Sequence, residues 1–478
     1  MTQDIYIQSR PEGTAAEADN AAIREMEAQI EAILKQPTNG QHQRLHLILR
    51  SQRLADILRR TPLSAEMSER IELYAYTRED LWSMQLLGIS PDSPTRLDRQ
   101  PITPESRQIV HLVVFGMSPQ TESLAIHTAL IAHYPNYSLD HTLRTRITLV
   151  ADSQEDFRAF RQHYQNLLTH SYRRTVLTGG EEVECLTQTP KYQGLRQDFV
   201  DIEFEFVNAH SDDDSLSYKL QKWAQDPSQQ LTVAFCYTDA SRNLNEALSL
   251  PQHLQDIPCW VRLDDDSSLR LVKQSGQYAQ LIPFGMDHAP LPDMRRFIHM
   301  AQCVNYAYHQ LRETSDEEQR QGQNAMAIAT EVPSQQQLDQ LWLNPRLTMP
   351  KRWSNIYHAF TLTSKMHSLG HAPETWRTLF AISEKEADLL SEAEHNRWSV
   401  EELILGYRPT TDEEHLAILR DIHQRGLLKS RLIHDDLRSY HELGVDETGK
   451  NVARYDLALT RTLPLIAYTY YHLNNPDA

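Results

Sequence analysis

The chain has 478 residues, enough for two to four domains that each bury a core, and it carries 65 acidic against 47 basic side chains, a formal charge of -18. Such a surface repels phosphate backbones and no basic run reverses it locally, which excludes nucleic acid as a default partner while leaving room for a small anion in one basic pocket. No apolar stretch approaches the roughly 20 residues that cross a bilayer, MTQDIYIQSRPEG lacks the apolar core of a signal peptide, and Cys185, Cys236, Cys259 and Cys303 are too far apart for a thiolate metal site.

The expectation is a cytoplasmic chain with reduced thiols and no membrane insertion. Residues 17–36 place Ile23, Met26, Ile30 and Leu34 at helical spacing on one stripe. Two short apolar runs follow, LHLIL at 45–49 and IELYAYT at 71–77, around a helical stretch with Leu54, Ile57 and Leu58. They predict a small strand–helix–strand unit, closed at 90–106 by a stretch whose four prolines disfavour helix and central strand. From 108 the runs IVHLVVFG, RITLVAD, VDIEFEFV, LTVAFCYTD, PCWVRLD and AQLIPFG alternate with helical segments. Several are apolar on both faces, which predicts a doubly wound α/β parallel sheet with its ligand crevice beyond the carboxyl ends of the strands. Residues 313–339 read as a Glu-, Gln- and Ser-rich linker, and 340–478 as all-α, with a helix capped by Ser383 and a final helix interrupted near Pro464. The predicted units are 1–106, an amino-terminal helix and small α/β extension; 107–312, the nucleotide-binding α/β domain; 313–339, the linker; and 340–478, the helical domain.

In VHLVVFGMSPQTESLAIHTAL an apolar strand runs into Gly116 and an amphipathic helix that Ser118 can cap, with Pro119, Gln120 and Thr121 in its first turn. That layout leaves backbone N–H groups free for an anion. With the middle glycine of a GxGxxG pattern on Gly116, the outer positions hold Val114 and Pro119. RITLVAD ends in Asp152, where dinucleotide folds keep an acid for a ribose hydroxyl. YTDASRNLNEAL, through Asp239, Asn243 and Leu244, resembles the Asp-x-x-x-Asn-Leu stretch of the regulatory NAD-binding domains of potassium-transport systems, and 108–286 resembles that Rossmann family in layout. The resemblance implies a nucleotide site at Gly116, Ser118, Gln120, Thr121, Asp152, Asp239 and Asn243, an adenine nucleotide or NAD-derived ligand, and a homo-oligomer. The eroded glycine pattern departs from the family and leaves a scaffold that binds nothing open.

AEHNRWSVEELILGYRP, residues 393–409, crowds polar and aromatic groups into one helical segment. At about 100° per residue Glu394, Trp398, Glu401 and Leu405 line one stripe and Asn396, Val400, Leu403 and Tyr407 another, with His395 and Glu402 flanking the tryptophan. An indole, a guanidinium and an amide can hold a base and a charged tail. Equally, Arg397 can pair with Glu394 or Glu401 while the aromatics enter the core. This stretch, with IHDDLRSYHEL and GKNVARYDLALTRTLPLIAYTYY, resembles the RyR domain, the helical module named after ryanodine-receptor channels and also found in bacterial proteins. The resemblance rests on Glu394, His395, Asn396, Trp398, Gly406-Tyr407, His434, Leu437, Tyr440, Leu443, Lys450 and Asp456. Tyr407 stands where the family usually has tryptophan, and Arg408-Pro409 where it has an aromatic-glycine pair. The resemblance implies a binding module without catalytic residues, in bacterial signalling or defence against phage. A base would stack on Trp398 or Tyr440, and Arg397, Lys450 or Arg454 would meet phosphate.

No GxSxG, Walker A or HExxH pattern occurs, and the aspartate runs at 212–214 and 264–266 read as solvated loops. Three classes stay open: a sensor of a nucleotide-type ligand, which leads; a nucleotide- or NAD-processing enzyme using Gly116, Asp152 and Asp239; and a structural adaptor.

Overall fold

The computed structural model describes residues 3–36, 42–88, 95–177, 184–190, 198–211, 213–251, 254, 256–274, 276, 278–286, 291–312, 332–446 and 449–475. Its first layer is a parallel sheet in the order β1-β2-β3, formed by β1 (Gln3–Gln8), β2 (Gln43–Leu49) and β3 (Ile71–Thr77). Strand β1 is faint in the sequence because only Ile7 in it is fully buried. Helix α1 (Ala15–Lys35) opens on a capping box between Thr14 and Glu17 and buries Met26 and Ile30 of the predicted stripe. Helices α2 (Gln52–Arg60), α3 (Ala65–Ser68) and α4 (Arg78–Leu86) complete this unit.

The central sheet has eight strands in the order β11-β10-β9-β4-β5-β8-β6-β7. They are β4 (Ile109–Phe115), β5 (Thr145–Ala151), β6 (Tyr172–Leu177), β7 (Glu184–Gln188), β8 (Ile202–Asn208), β9 (Gln229–Phe235), β10 (Cys259–Arg262) and β11 (Leu281–Phe284). Every pairing is parallel except β6 with β7. Six strands coincide with the predicted runs; β6, with two adjacent arginines, and short β7 do not read as apolar. Along β4, Val110, Leu112 and Val114 enter one core and Val113 and Phe115 another. Successive strand residues point to opposite faces, so both faces are covered and the sheet is doubly wound. Helices α5 (Pro119–Ile131), α6 (Arg158–His163) and α7 (Gln165–His170) lie on the first face. Helices α8 (Asp214–Gln225), α9 (Ala240–Leu248) and α10 (Ser267–Lys273) lie on the second. The chain reverses direction across the sheet between β4 and β9, the place where such folds open a crevice.

The remaining helices are α11 (Met294–Arg312), α12 (Gln335–Trp342), α13 (Met349–Ser368), α14 (Glu384–Ile404), α15 (Asp412–Arg420), α16 (Gln424–Lys429), α17 (Arg454–Arg461) and α18 (Leu463–Asn474). Ser383 caps α14, and the break at Thr462 separates α17 from α18 beside Pro464. The segment expected to be all-α also holds a two-residue parallel pairing of Arg408–Pro409 with Ile433–His434. Helix α11, expected in the α/β unit, packs on the helical layer, with Phe297 edge-on to Phe360 at 5.2 Å. Within the expected linker 313–339, α12 begins at Gln335, while 313–331 lie outside the described residues. One core runs through all three layers, joining Tyr74 and Tyr76 to Leu112 and to Trp353, Phe360 and Leu403. Among the described residues no helix is long and apolar enough to cross a membrane.

Candidate functional site

At the crevice between β4 and β9 the predicted nucleotide residues are occupied by the protein itself. Gly116 takes φ +85°, and a Cβ there would lie 2.6 Å from the Tyr237 ring. The glycine thus answers to Tyr237, whose ring fills the space a pyrophosphate would approach. Ser118 caps α5 in a capping box with Thr121, and the Thr121 hydroxyl donates to the Gly116 carbonyl at 2.8 Å. Gln120 is buried and donates to the Ser83 hydroxyl of α4 at 2.9 Å. Asp152, the expected ribose acid, accepts both arms of the Arg242 fork at 2.8 and 3.0 Å. These hydrogen bonds outweigh desolvation and hold the Asp152 carboxyl below its usual range. The same guanidinium lies 3.7 Å over the Tyr237 ring. Asp239 caps α9 by accepting from the Ser241 N–H at 2.8 Å. Buried Asn243 donates to the carbonyls of Tyr237 at 2.9 Å and Arg262 at 3.0 Å, so the Asp-x-x-x-Asn pattern here staples two strand ends.

Along α14 two clusters divide the motif residues. Glu394 and Arg397 face inward. The Arg397 Nε donates to Glu394 at 2.8 Å and its Nη1 to Glu401 at 2.7 Å. Lys365 of α13 also donates to Glu394, and His358 approaches it at 2.9 Å. Arg397 is 1% exposed and Glu394 0%, which makes a closed quartet of two acids and two bases. Despite the desolvation that opposes it, Arg397, His358 and Lys365 hold the Glu394 carboxyl well below its usual range. Arg397, expected at a ligand phosphate, directs its Nε and Nη1 to these two carboxylates inside the protein. Asn396 is buried on the opposite side of the helix from Trp398.

The second cluster brings together what the sequence scatters. The His395 Nε2–H donates to the Arg438 carbonyl at 2.8 Å while Nδ1 meets Asp456 of α17 at 3.2 Å. Burial opposes its charge, but Asp456 and that carbonyl prevail and raise its pKa. Trp398 lies edge-on to His434 at 4.9 Å and tilted against His395 at 5.6 Å. Tyr407 meets His434 at 6.0 Å and Tyr440 meets His395 at 6.1 Å. His434 Nδ1 accepts the Asp436 N–H at 3.2 Å, and burial, with Lys429 beside it, drives its pKa well down, leaving a neutral ring with its proton on Nε2. Lys450 and Arg454 stand apart: Arg454 pairs with Asp446 at 2.7 Å and lies 4.8 Å over the Tyr455 ring, and Lys450 is exposed in the same loop.

Two surface cavities lie away from Trp398, one of about 520 Å³ beside Tyr306, Gln337 and Asn344, the other of about 360 Å³ between Pro104, Leu369 and Lys385. Among the described residues no group of three His, Cys, Asp or Glu side chains can hold a metal ion. Comparison with protein-family models, curated proteins and solved structures gives no match.

Two sets of contacts leave no trace in the sequence because their partners are distant in the chain. The carboxyl end of α14 is clamped by both α/β units: Arg60 donates to the Leu405 carbonyl, and Asn166 of α7 to those of Gly406 and Tyr407 at 2.7 and 3.0 Å. Deeper in the same junction, buried Arg59 donates to Asp80, to Asp56 at 2.9 Å and to the Tyr357 hydroxyl at 3.3 Å. Ser123 of α5 donates to the same Asp80 at 3.2 Å. Burial pushes the Asp56 carboxyl up to about 6 against the pull of Arg59.

Proposed function

We propose that the chain is a ligand-responsive regulator whose RyR-like helical part takes the base of a nucleotide-type ligand on Trp398 and passes the event on through the Gly406-Tyr407 turn. One observation carries the reading. From Leu390 to Glu401 every residue is buried except Trp398, which alone is only partly buried. Around it stand His395, His434 and Tyr407, flat groups that favour a planar ligand. The phosphate half of the sequence expectation has weaker support, since Arg397 and Arg454 are each paired with carboxylates. Stacking and hydrogen bonds to the base therefore carry recognition. In the α/β part the Tyr237-Arg242-Asp152 plug favours a scaffold role over NAD turnover.

Calorimetry and thermal shift on the full chain with adenosine, AMP, cyclic AMP and NAD test this. Stacking one base is worth about 1–3 kcal/mol, so Trp398→Ala should weaken binding about tenfold or more while the unbound melting temperature stays close to that of the unsubstituted chain. Absence of heat and of any shift with all four compounds removes the reading. A self-association expected of such regulators is read from light scattering on the same samples.

A further inference from the structure

On the sheet face that carries α6, two guanidinium groups stand together without an acid among the described residues. Arg161 of α6 lies 4.4 Å over the Phe206 ring and 5.3 Å over that of Phe157. Arg173 of β6 is in parallel register with Phe204 of β8, and laterally paired residues project to the same face. Arg173 therefore emerges beside Phe204, whose ring is 6.5 Å from that of Phe206. Phe160 of α6 packs on Phe204 at 6.1 Å, which seats the helix and the strand on one aromatic floor.

Among the described residues neither arginine has an ion-pair partner, and Nη2 of Arg161 and Nε of Arg173 are sealed from solvent with no acceptor. A third orphan donor, Nε2 of Gln154, lies about two turns ahead of Arg161 along the same segment. The neighbouring arginines are all paired: Arg158 with Glu155 at 2.8 Å, Arg174 with Glu203 at 2.9 Å and Arg144 with Asp198 at 3.3 Å. Two adjacent cations left without an acid among the described residues are a departure that needs a cause. Burial lowers the pKa of both groups, and Arg173 lowers that of Arg161 further. A buried donor without an acceptor is costly, and so is a desolvated like-charge pair. One dianion relieves both.

We propose that Arg161 and Arg173 form a binding site for a phosphoryl group, seated between α6 and β6 on the Phe157-Phe206 floor. A guanidinium fork matches phosphate oxygens, and donors arriving from separate elements suit a tetrahedral anion better than a planar carboxylate. The site is separate from Trp398 and does not depend on the reading given to it.

Thermal unfolding and 31P line broadening of the full chain test the assignment, with orthophosphate and glycerol phosphate compared to chloride at equal ionic strength. Both phosphates should raise the melting temperature saturably, and a tighter response to glycerol phosphate would mark a phosphomonoester rather than free phosphate as the ligand. Arg161→Gln and Arg173→Gln should each weaken the apparent affinity at least tenfold, and the double variant should not respond while keeping its circular dichroism. Arg161→Lys, which keeps the charge but not the fork and serves if the glutamine variants unfold, should recover only part of the response. A response in the unsubstituted chain no larger than that to chloride, or an equal response in the double or lysine variant, overturns the site.

Discussion

Replacing Glu402 by glutamine probes a carboxylate that flanks Trp398 and makes no ion pair among the described residues. It sits one helical turn beyond the indole, and its Oε2 is sealed from solvent without a hydrogen-bond partner. Burial first, and then the Glu401 carboxylate, push its pKa up to about 8, with Lys429 opposing only in part. The folded chain thus holds this proton more tightly than the unfolded one. Its contribution is fully present below the unfolded value of about 4.3 and is lost as pH rises toward 8. A rise from 4.5 to about 8 is worth at most about 5 kcal/mol, at roughly 1.4 kcal/mol for each tenfold change. Because the residue keeps some solvent contact, screening reduces this to about 3 kcal/mol. Glutamine is neutral throughout, so Glu402→Gln should exceed the unsubstituted chain by less than about 1 kcal/mol at pH 5 and by about 3 kcal/mol at pH 8.5. Urea unfolding followed by circular dichroism at pH 5, 6.5 and 8.5 reads the difference. Asp436 and Asp456, whose pKa values are also raised by burial, contribute equally to both proteins and cancel. Parallel stability curves, or a gap that widens toward acid, refute the reasoning.

Three further substitutions test the packing that frames the site. Glu394→Gln leaves Arg397 and Lys365 with one acid between them, and stability at pH 7 should fall by about 3–5 kcal/mol in denaturant titrations. Gly406→Ala puts a Cβ at φ +92° and 2.8 Å from the Arg60 Nη1; it should cost about 1–3 kcal/mol, and in an Arg60→Ala background less than the sum of the two singles. Gly116→Ala meets the Tyr237 backbone at 2.8 Å as well as its ring, and a loss above about 3 kcal/mol is expected in thermal melts, with no ligand needed to observe it.

What the sequence revealed follows the range of the interactions. The Ser383 cap, the stripe on α1 and the ties of Arg397 to Glu394 and Glu401 are local, and spacing alone proposes them. The six apolar strands were legible because burial on two faces demands uninterrupted apolar residues. Strand β6 was not, since YRRTVL turns charged groups out of both faces and gains its place from β8. The surroundings of Trp398 were half legible: spacing placed His395 and Glu402 beside the indole, but not which side of α14 is the more buried. That depends on Lys365 and His358 closing the Glu394 side from α13. Arg397 shows the same limit, because a buried guanidinium and a ligand-facing one have the same spacing in sequence.

The arrangement of α14 also bears on how an event at Trp398 would travel. The quartet of Arg397, Glu394, Lys365 and Glu401 fixes one side of the helix to α13, and His395 with Asp456 fixes another to α17. A helix held on two sides by buried charges moves as a body or not at all, since breaking either set exposes an unpaired charge to the core. Its carboxyl end meets Arg60 from the first unit and Asn166 from the central one. These capping bonds lie closer to solvent than the quartet. A ligand wedged between Trp398 and His434 would therefore express itself at Gly406 and Tyr407 before it disturbs the core. Under that reading, amide exchange of Gly406 and Tyr407 responds to ligand before that of Leu403 does.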